Sequence, residues 1–359
     1  MHCVVLFPIL QPFANPLMSQ DKIVTIYDIA ERLSLSPSTI SRGLQNHAAI
    51  NAKTKKRIFD TANEMGYRFN TFARNLRAQK TNTIGVIVPR LNSYFISAML
   101  AGIEKELQAA GYNMLISQSL ESQEKEAEYA ETMMHNRVDG LIVTLAANTT
   151  SVDHFQPFLK HNIPVLFADR GVGENEYTKV VIDNRKAGYE ATAHLIGQGC
   201  SRIVHITGNT TRDVYADRRD GYRSALVEHG ISFDESLVFE TDLTEISTMK
   251  VMNRILKMDA LPDGIFVAND FCAAIRLKTL RQDGLHIPGD VAIVGFNNDA
   301  TSRITEPSLS TVNYPGQEMG ELVARGLIRR LRTDTATVIE TIVLKSELII
   351  RNSSRRGEN

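Results

Sequence analysis

The feature that most restricts this chain is a change of pattern near residue 80. Thr25–Arg77 reads TIYDIAERLSLSPSTISRGLQNHAAINAKTKKRIFDTANEMGYRFNTFARNLR, a run of short helices with no apolar strand in it. Directly afterwards TIGVIVP, Thr83–Pro89, reads as a buried strand. Thr25 with Asp28 is placed to cap a first helix, whose Ile26, Ile29, Ala30 and Leu33 share one face. Ser36-Pro37 opens a second helix, with serine as the cap and proline where no amide is needed. Ile40 and Leu44 face inward there. Pro37, Ser38, Ser41 and Arg42 are left pointing out, from the part of a helix that reads base edges in a major groove. Asn51 caps a third helix over about 52–65, with Ile58, Ala62 and Met65 inside.

Charge supports a nucleic-acid partner. Residues 19–80 hold 11 Lys plus Arg against 5 Asp plus Glu, net +6, while the remainder holds 29 against 36, net −7. A total of −1 conceals a basic head on an acidic body. Lys53, Lys55, Lys56 and Arg57 crowd the start of the third helix, where the helix dipole opposes cations. Phosphates would favour them.

The segments TIYDIA, LSPSTISR, INAKTKKRI, MGY and NTFARNLR, in one ungapped run, resemble the DNA-binding headpiece of the lactose-repressor/galactose-repressor (LacI/GalR) family. The resemblance implies base contacts from Pro37, Ser38, Thr39 and Arg42. It implies phosphate contacts from Thr25, Tyr27, Ser41, Asn51, Thr54 and Tyr67. It also implies a hinge helix, formed on DNA, in which Asn70, Ala73, Leu76 and Arg77 are in register and Leu76 wedges into the minor groove. Two positions depart from the family. Ser34 stands for a usual glycine in the tight turn, and Phe69 for a common proline before the hinge.

From Thr83 onward, apolar strands alternate with helices in two series, near 84–89, 113–118, 140–145, 165–169 and 180–183, then 203–208, 237–241, 264–269 and 291–296. That pattern indicates two doubly wound parallel sheets, which bind ligands beyond the carboxyl ends of their strands. The resemblance continues to about Arg351 through MMHNRVDGLIV, IPVLFADR, ADRRDGYRSAL and IPGDVAIVGFNN. It implies a type-I periplasmic-binding-protein-like fold, with an effector held by Tyr94, Phe95, Ser119, Arg170, Arg218, Asn269, Phe296 and Asn297. Each has a plainer alternative. Tyr94 and Phe95 suit a core, Arg170 suits an ion pair with Asp169 or Asp183, and Asp270 suits a helix cap. Asn297 replaces a more usual aspartate. His135, His194 and His205 are read as ordinary core or surface residues.

The expected domains are a disordered extension over 1–21, a helix-turn-helix domain over 22–69, and a hinge over 70–80. An effector-binding and dimerisation domain of two interleaved subdomains over 81–351 and a tail over 352–359 follow. Met18 is an alternative start. The first residues lack the positive charge of a signal peptide, and nothing approaches the ~18 apolar residues of a membrane span. Cys3, Cys200 and Cys272 give no disulfide framework and no metal spacing, so a cytoplasmic protein without cofactor or metal is expected. No GxxxxGK[ST], HExxH or GxSxG is present, so an enzyme is not expected. A transport solute-binding protein shares the cleft fold but has no use for the basic head. The expectation is a homodimeric regulator, a repressor, that binds a pseudo-palindromic double-stranded DNA operator and a sugar or sugar-derived effector.

Overall fold

A computed structural model describes residues 24–67, 80–171, 177–333 and 338–357. The chain divides into two units, Met1–Arg74 and Asn75–Asn359. The expected extension over 1–21 and the hinge residues Phe69, Asn70, Ala73, Leu76 and Arg77 lie outside the described residues.

In the first unit the helices are α1 (Ile26–Leu33), α2 (Pro37–Leu44) and α3 (Ala52–Glu64). The Asp28 carboxylate accepts from the Thr25 N–H at 2.7 Å and from its hydroxyl at 2.6 Å. Ser36 Oγ accepts from the Thr39 N–H at 3.1 Å, and Asn51 Oδ1 from the Thr54 N–H at 2.8 Å. These bonds satisfy amides that a helix start leaves over. Ile29, Ile40 and Ile58 are fully buried and, with Ala30, Leu44 and Ala62, form the core. Ser34 ends α1 in the left-handed region, at φ 55° and ψ 41°. Two bonds hold this turn, Ser34 N–H to Glu31 O at 3.2 Å and Leu35 N–H to Ala30 O at 3.0 Å. They are the paired closure that glycine usually provides.

The second unit contains two six-stranded sheets. The first is built from β1 (Thr83–Val88), β2 (Asn113–Gln118), β3 (Gly140–Val143), β4 (Val165–Ala168) and β5 (Lys179–Ile182). The second is built from β6 (Ile203–Thr207), β7 (Val238–Glu240), β8 (Gly264–Val267), β9 (Ala292–Asn297) and β10 (Ser310–Asn313). β11 (Thr341–Leu344) then returns to the edge of the first sheet beside β5, and β12 (Glu347–Ile349) to the edge of the second beside β10. All neighbours are parallel except β10 and β12. β1 to β9 are the strands read from sequence; β10, β11 and β12 were not among them. All three are short; β11 and β12 are half-exposed sheet edges, and β10, though buried, reads STVN and carries little apolar signal.

The helices are α4 (Tyr94–Ala109), α5 (Gln123–His135), α6 (Gln156–Lys160), α7 (Asn184–Gly197), α8 (Asp213–Glu228), α9 (Glu245–Ile255), α10 (Asp270–Gln282), α11 (Thr301–Ile304) and α12 (Gly316–Arg332). α7 follows β5 of the first sheet but packs on the second, while α12 follows β10 and packs back on β3, β4 and β5. The lobes are therefore interleaved. Glycines bring two helix pairs into backbone contact. A β-carbon on Gly102 of α4 would overlap the Gln317 carbonyl, and one on Gly320 of α12 the Met99 carbonyl. On the other lobe, Gly188 of α7 would overlap the Arg218 backbone and Gly221 of α8 the Arg185 carbonyl.

Two expectations need correction. Asn269, not Asp270, caps α10, its Oδ1 accepting from the Cys272 N–H at 2.7 Å. The segment beginning at residue 352 is no loose tail. Ser353 Oγ accepts from the Ser310 N–H at 2.8 Å, and the Arg356 guanidinium donates to the Pro288 and Asp263 carbonyls, each at 2.9 Å.

Candidate nucleic-acid face and ligand cleft

The first unit keeps its polar side chains outward. Ser38 and Arg42 of α2 are exposed, and Pro37, Thr39 and Ser41 half-buried. The Arg42 side chain makes no hydrogen bond or ion pair among the described residues. Ser36 Oγ ties the hydroxyls of Ser38 and Thr39 at 2.8 Å each, which orients both. Tyr27 is 68% exposed on α1. Thr25 and Asn51 are exposed at helix starts, Thr54 is half-buried one turn into α3, and Tyr67 is half-buried against the core. With Asn51 Oδ1 engaged in capping, its amide nitrogen remains a donor. Lys55 reaches the Asn46 carbonyl at 3.1 Å, while Lys53, Lys56 and Arg57 stay exposed. Nine of the expected DNA-contact positions thus fall on helix starts and on α2, and Tyr67 follows the end of α3; the remaining four lie outside the described residues.

In the second unit, the carboxyl ends of both sheets enclose a cavity of about 680 Å³, within the range of small-molecule sites. Tyr94, Phe95, Arg170, Arg218, Asn269 and Asn297 line it, as expected from sequence. Ser119 and Phe296 do not; both are fully buried. After β2 the chain takes two left-handed residues, Leu120 at φ 52° and Glu121 at φ 64°, so Glu121 enters the cavity wall instead of Ser119. Phe296 lies under the site: the Arg218 guanidinium sits 3.6 Å above its ring centroid, a cation–π contact.

The arginines are held in different ways. Arg170 donates to Glu121 at 2.8 Å, to the Leu145 carbonyl at 3.2 Å and to Tyr215 Oη at 3.2 Å, and lies 3.7 Å from Asp169. It therefore serves both as a wall and as the ion pair proposed for it, with Asp169 and not Asp183. Arg218 donates from Nε to Asn184 Oδ1 at 2.8 Å and from one terminal nitrogen to the Ala268 carbonyl at 3.2 Å. Its other terminal nitrogen makes no hydrogen bond among the described residues. Burial lowers the Arg218 pKa, against the raising influence of Tyr314, Tyr215 and Asp169 nearby. Burial likewise pushes the Asp169 carboxyl up, opposed by Arg170 beside it and by the hydrogen bond that Tyr314 donates.

Asp270 is buried behind the opposite wall. Its carboxylate accepts from the Thr311 hydroxyl and from the Asp299 N–H, each at 2.7 Å. Burial lifts its pKa to about 8, and that of Asp299 to about 6. Asn297 holds φ 106°, a conformation costly for any side chain other than glycine. Such strain is concentrated at functional walls more than elsewhere.

Sequence reasoning missed Glu121, Tyr215, Tyr314 and Asp299 in this wall. Tyr215 was findable, since it precedes Arg218 by three positions and shares its helix face. Tyr314 follows β10, a strand the sequence did not announce. It stacks on Phe95, centroids 4.3 Å apart.

Two family descriptions match the chain. Residues 25–70 match bacterial regulatory proteins of the lacI family, and residues 192–354 match a periplasmic binding protein-like domain. Catabolite control protein A of Priestia megaterium is 32% identical over 313 residues, covering 87% of this chain and 94% of the relative. The chain belongs to the lacI family. The regulator DegA of Bacillus subtilis (strain 168), another member, is 30% identical and covers 92% of this chain and 98% of its own. Among solved structures, the regulator CelR in complex with cellobiose is 26% identical, covers 92% of this chain and 99% of its own, and superposes with a TM-score of 0.69. The lac repressor dimer bound to operator and the anti-inducer ONPF shares the fold, at 22% identity, a TM-score of 0.83, and coverage of 93% and 99%. This lacI-family chain is accordingly a DNA-binding transcriptional regulator. Among the described residues no helix is long and apolar enough to cross a membrane.

Proposed function

We propose that two copies of this regulator repress transcription by reading a pseudo-palindromic operator, and that a sugar or sugar derivative in the cleft controls the reading. One observation carries the second half: a buried arginine, Arg218, fixed by Asn184, Ala268 and Phe296, presents an unused donor to a cavity of ligand size. Most buried side-chain donors find a partner, and Arg218 is one whose spare donor belongs to a residue that lines the cavity. The complex of CelR with cellobiose supports the class of ligand. On the DNA side, Pro37, Ser38, Thr39 and Arg42 read bases, and Thr25, Tyr27, Ser41, Asn51, Thr54 and Tyr67 hold phosphates, while Leu76 is the proposed wedge. An apolar surface suits the second copy: Ile304 is 82% exposed and Phe271 49%, beside a groove lined by Ala274, Leu277, Lys278 and Arg281.

The effector favours one arrangement of the lobes only through its differential affinity for the two. Pull-down and sequencing of genomic fragments supplies the operator, and metabolite pools then supply an effector response. Arg218→Ala is expected to remove that response, ordinarily about 5- to 150-fold in operator affinity, while operator affinity without effector stays unchanged. A response that survives the substitution refutes the cleft. Arg42→Ala is expected to relax discrimination at one base pair by about 1–3 kcal/mol, measured on operator variants.

A further inference from the structure

Asp299 lines the cleft, is 8% exposed, and has one carboxylate oxygen, Oδ1, buried without a hydrogen-bond partner. The fold uses this residue through its main chain. Its N–H donates to Asp270 at 2.7 Å, and its carbonyl accepts from the Ser302 N–H at 2.9 Å and the Ser302 hydroxyl at 2.7 Å. The side chain is therefore not the cap of α11. The neighbouring cation is engaged elsewhere: Arg351 donates to Ser302 Oγ at 3.0 Å, to the Leu309 carbonyl at 2.8 Å and to Asn298 Oδ1 at 2.7 Å. Among the described residues no ion pair involves Asp299. Burial disfavours the charged form of its carboxyl, and a hydrogen bond from the Asn297 amide favours it. A buried carboxylate oxygen left alone is costly unless something enters to meet it.

The same cavity has the unused donor of Arg218. Its wall thus holds one spare cationic donor and one carboxylate with an unpartnered oxygen just beneath the surface. We propose that Asp299 receives a positively charged nitrogen of the effector, so that the cleft selects an amino sugar, free or phosphorylated, over the corresponding hydroxy sugar. This rests on the reading of the cleft as the effector site. A hydroxyl would also meet Oδ1, but that task needs no charge. An amide also accepts from a hydroxyl, and Asn297 already lines the same wall. A carboxylate already strengthens a bond from a neutral hydroxyl, and its advantage over an amide is greatest when the partner is a cation, because both sides of the bond then carry charge. A metal ion is the other cation available to an acid; among the described residues no group of three or more His, Cys, Asp or Glu could hold one.

The test uses full-length protein and two matched pairs, glucose with glucosamine and glucose 6-phosphate with glucosamine 6-phosphate, titrated calorimetrically. The amino member of at least one pair is expected to bind wild type about tenfold tighter or more, which is about 1.4 kcal/mol. In Asp299→Asn that preference disappears, and the unliganded variant unfolds at the same temperature as wild type or higher. Equal binding of both members, no binding of either amino sugar, a preference that survives in Asp299→Asn, or a drop in the variant's unliganded stability would each overturn the assignment. The regulator reading fails differently. A hydroxy sugar that binds and shifts operator affinity leaves the effector cleft standing and removes only the amine.

Discussion

Arg42 and Arg218 are the same side chain in opposite surroundings. Arg42 stands exposed on α2, its side chain without a partner among the described residues, in a unit where cations crowd the helix starts. Arg218 is buried to 3% exposure, bonded to Asn184 and Ala268 and stacked on Phe296. Water keeps the first available at little cost and leaves salt free to screen it. The second is withdrawn from water, so the protein must hold it in place, and its few free donor positions become specific. The comparison teaches that one unit recognises through charge density and the other through fixed geometry.

The largest effect that separates them is salt. Between about 50 and 200 mM, operator affinity is expected to fall by about 10³–10⁵-fold if six to ten phosphates are contacted. Sugar binding in the cleft should change far less over the same range, and parallel titrations of both ligands check this. A flat operator curve would end the argument from the basic face. Next in size is Ile58→Ala, which opens a void in a six-residue core and is expected to remove about 2–5 kcal/mol. Operator binding should be lost while sugar titrates normally. Loss of both together would mean that the units do not melt separately.

A smaller contrast concerns protons. Asp270 and Asp299 hold pKa values of about 8 and about 6 in the folded cleft, against an ordinary 3.8. An acid whose pKa is raised on folding keeps a proton that the unfolded chain releases. The stability it contributes is complete below the ordinary value and declines as pH climbs through the folded one. The melting temperature of the second unit should therefore fall between about pH 5 and 8, with a flatter slope in Asp270→Asn. An unchanged slope would show that burial does not hold these protons. The smallest effect is Ser34→Gly. Relief of a left-handed strain of about 1–2 kcal/mol is offset by roughly 0.5–1 kcal/mol of extra chain entropy, for a net gain of roughly 0.5 kcal/mol in the first unit. Chemical denaturation followed through α1–α3 measures it, and a destabilised variant would show the turn is not strained.

The two regions also differed in how legible they were. The caps at Ser36 and Asn51, and the inward Ile29, Ile40 and Ile58, follow from local rules, because each helix and its core spacing are written in consecutive residues. The cleft is assembled from the ends of strands far apart in sequence. Position after a strand was enough to place Arg170, Asn269 and Asn297 in its wall. It misplaced Ser119, because two left-handed residues redirect the chain, and Phe296, because strand alternation turns it beneath Arg218. Tyr314 and Asp299 depend on β10 and on the turn after β9, where burial comes from neighbouring strands and not from any pattern in the segment itself.

The glycine crossings have a mechanical consequence. Where α7 meets α8, backbone touches backbone, and Gly188 lies against the main chain of Arg218 itself. Side chains that interdigitate can change rotamer and absorb a small push; a carbonyl pressed on a neighbouring backbone has no such slack. A ligand that draws Arg218 by a fraction of an ångström must therefore carry α7 with it, and α7 is the helix by which the chain leaves the first sheet for the second. The residue proposed to meet the ligand is also the tooth that engages the crossover, so a pull on it would move the lobe as a gear and not as a spring.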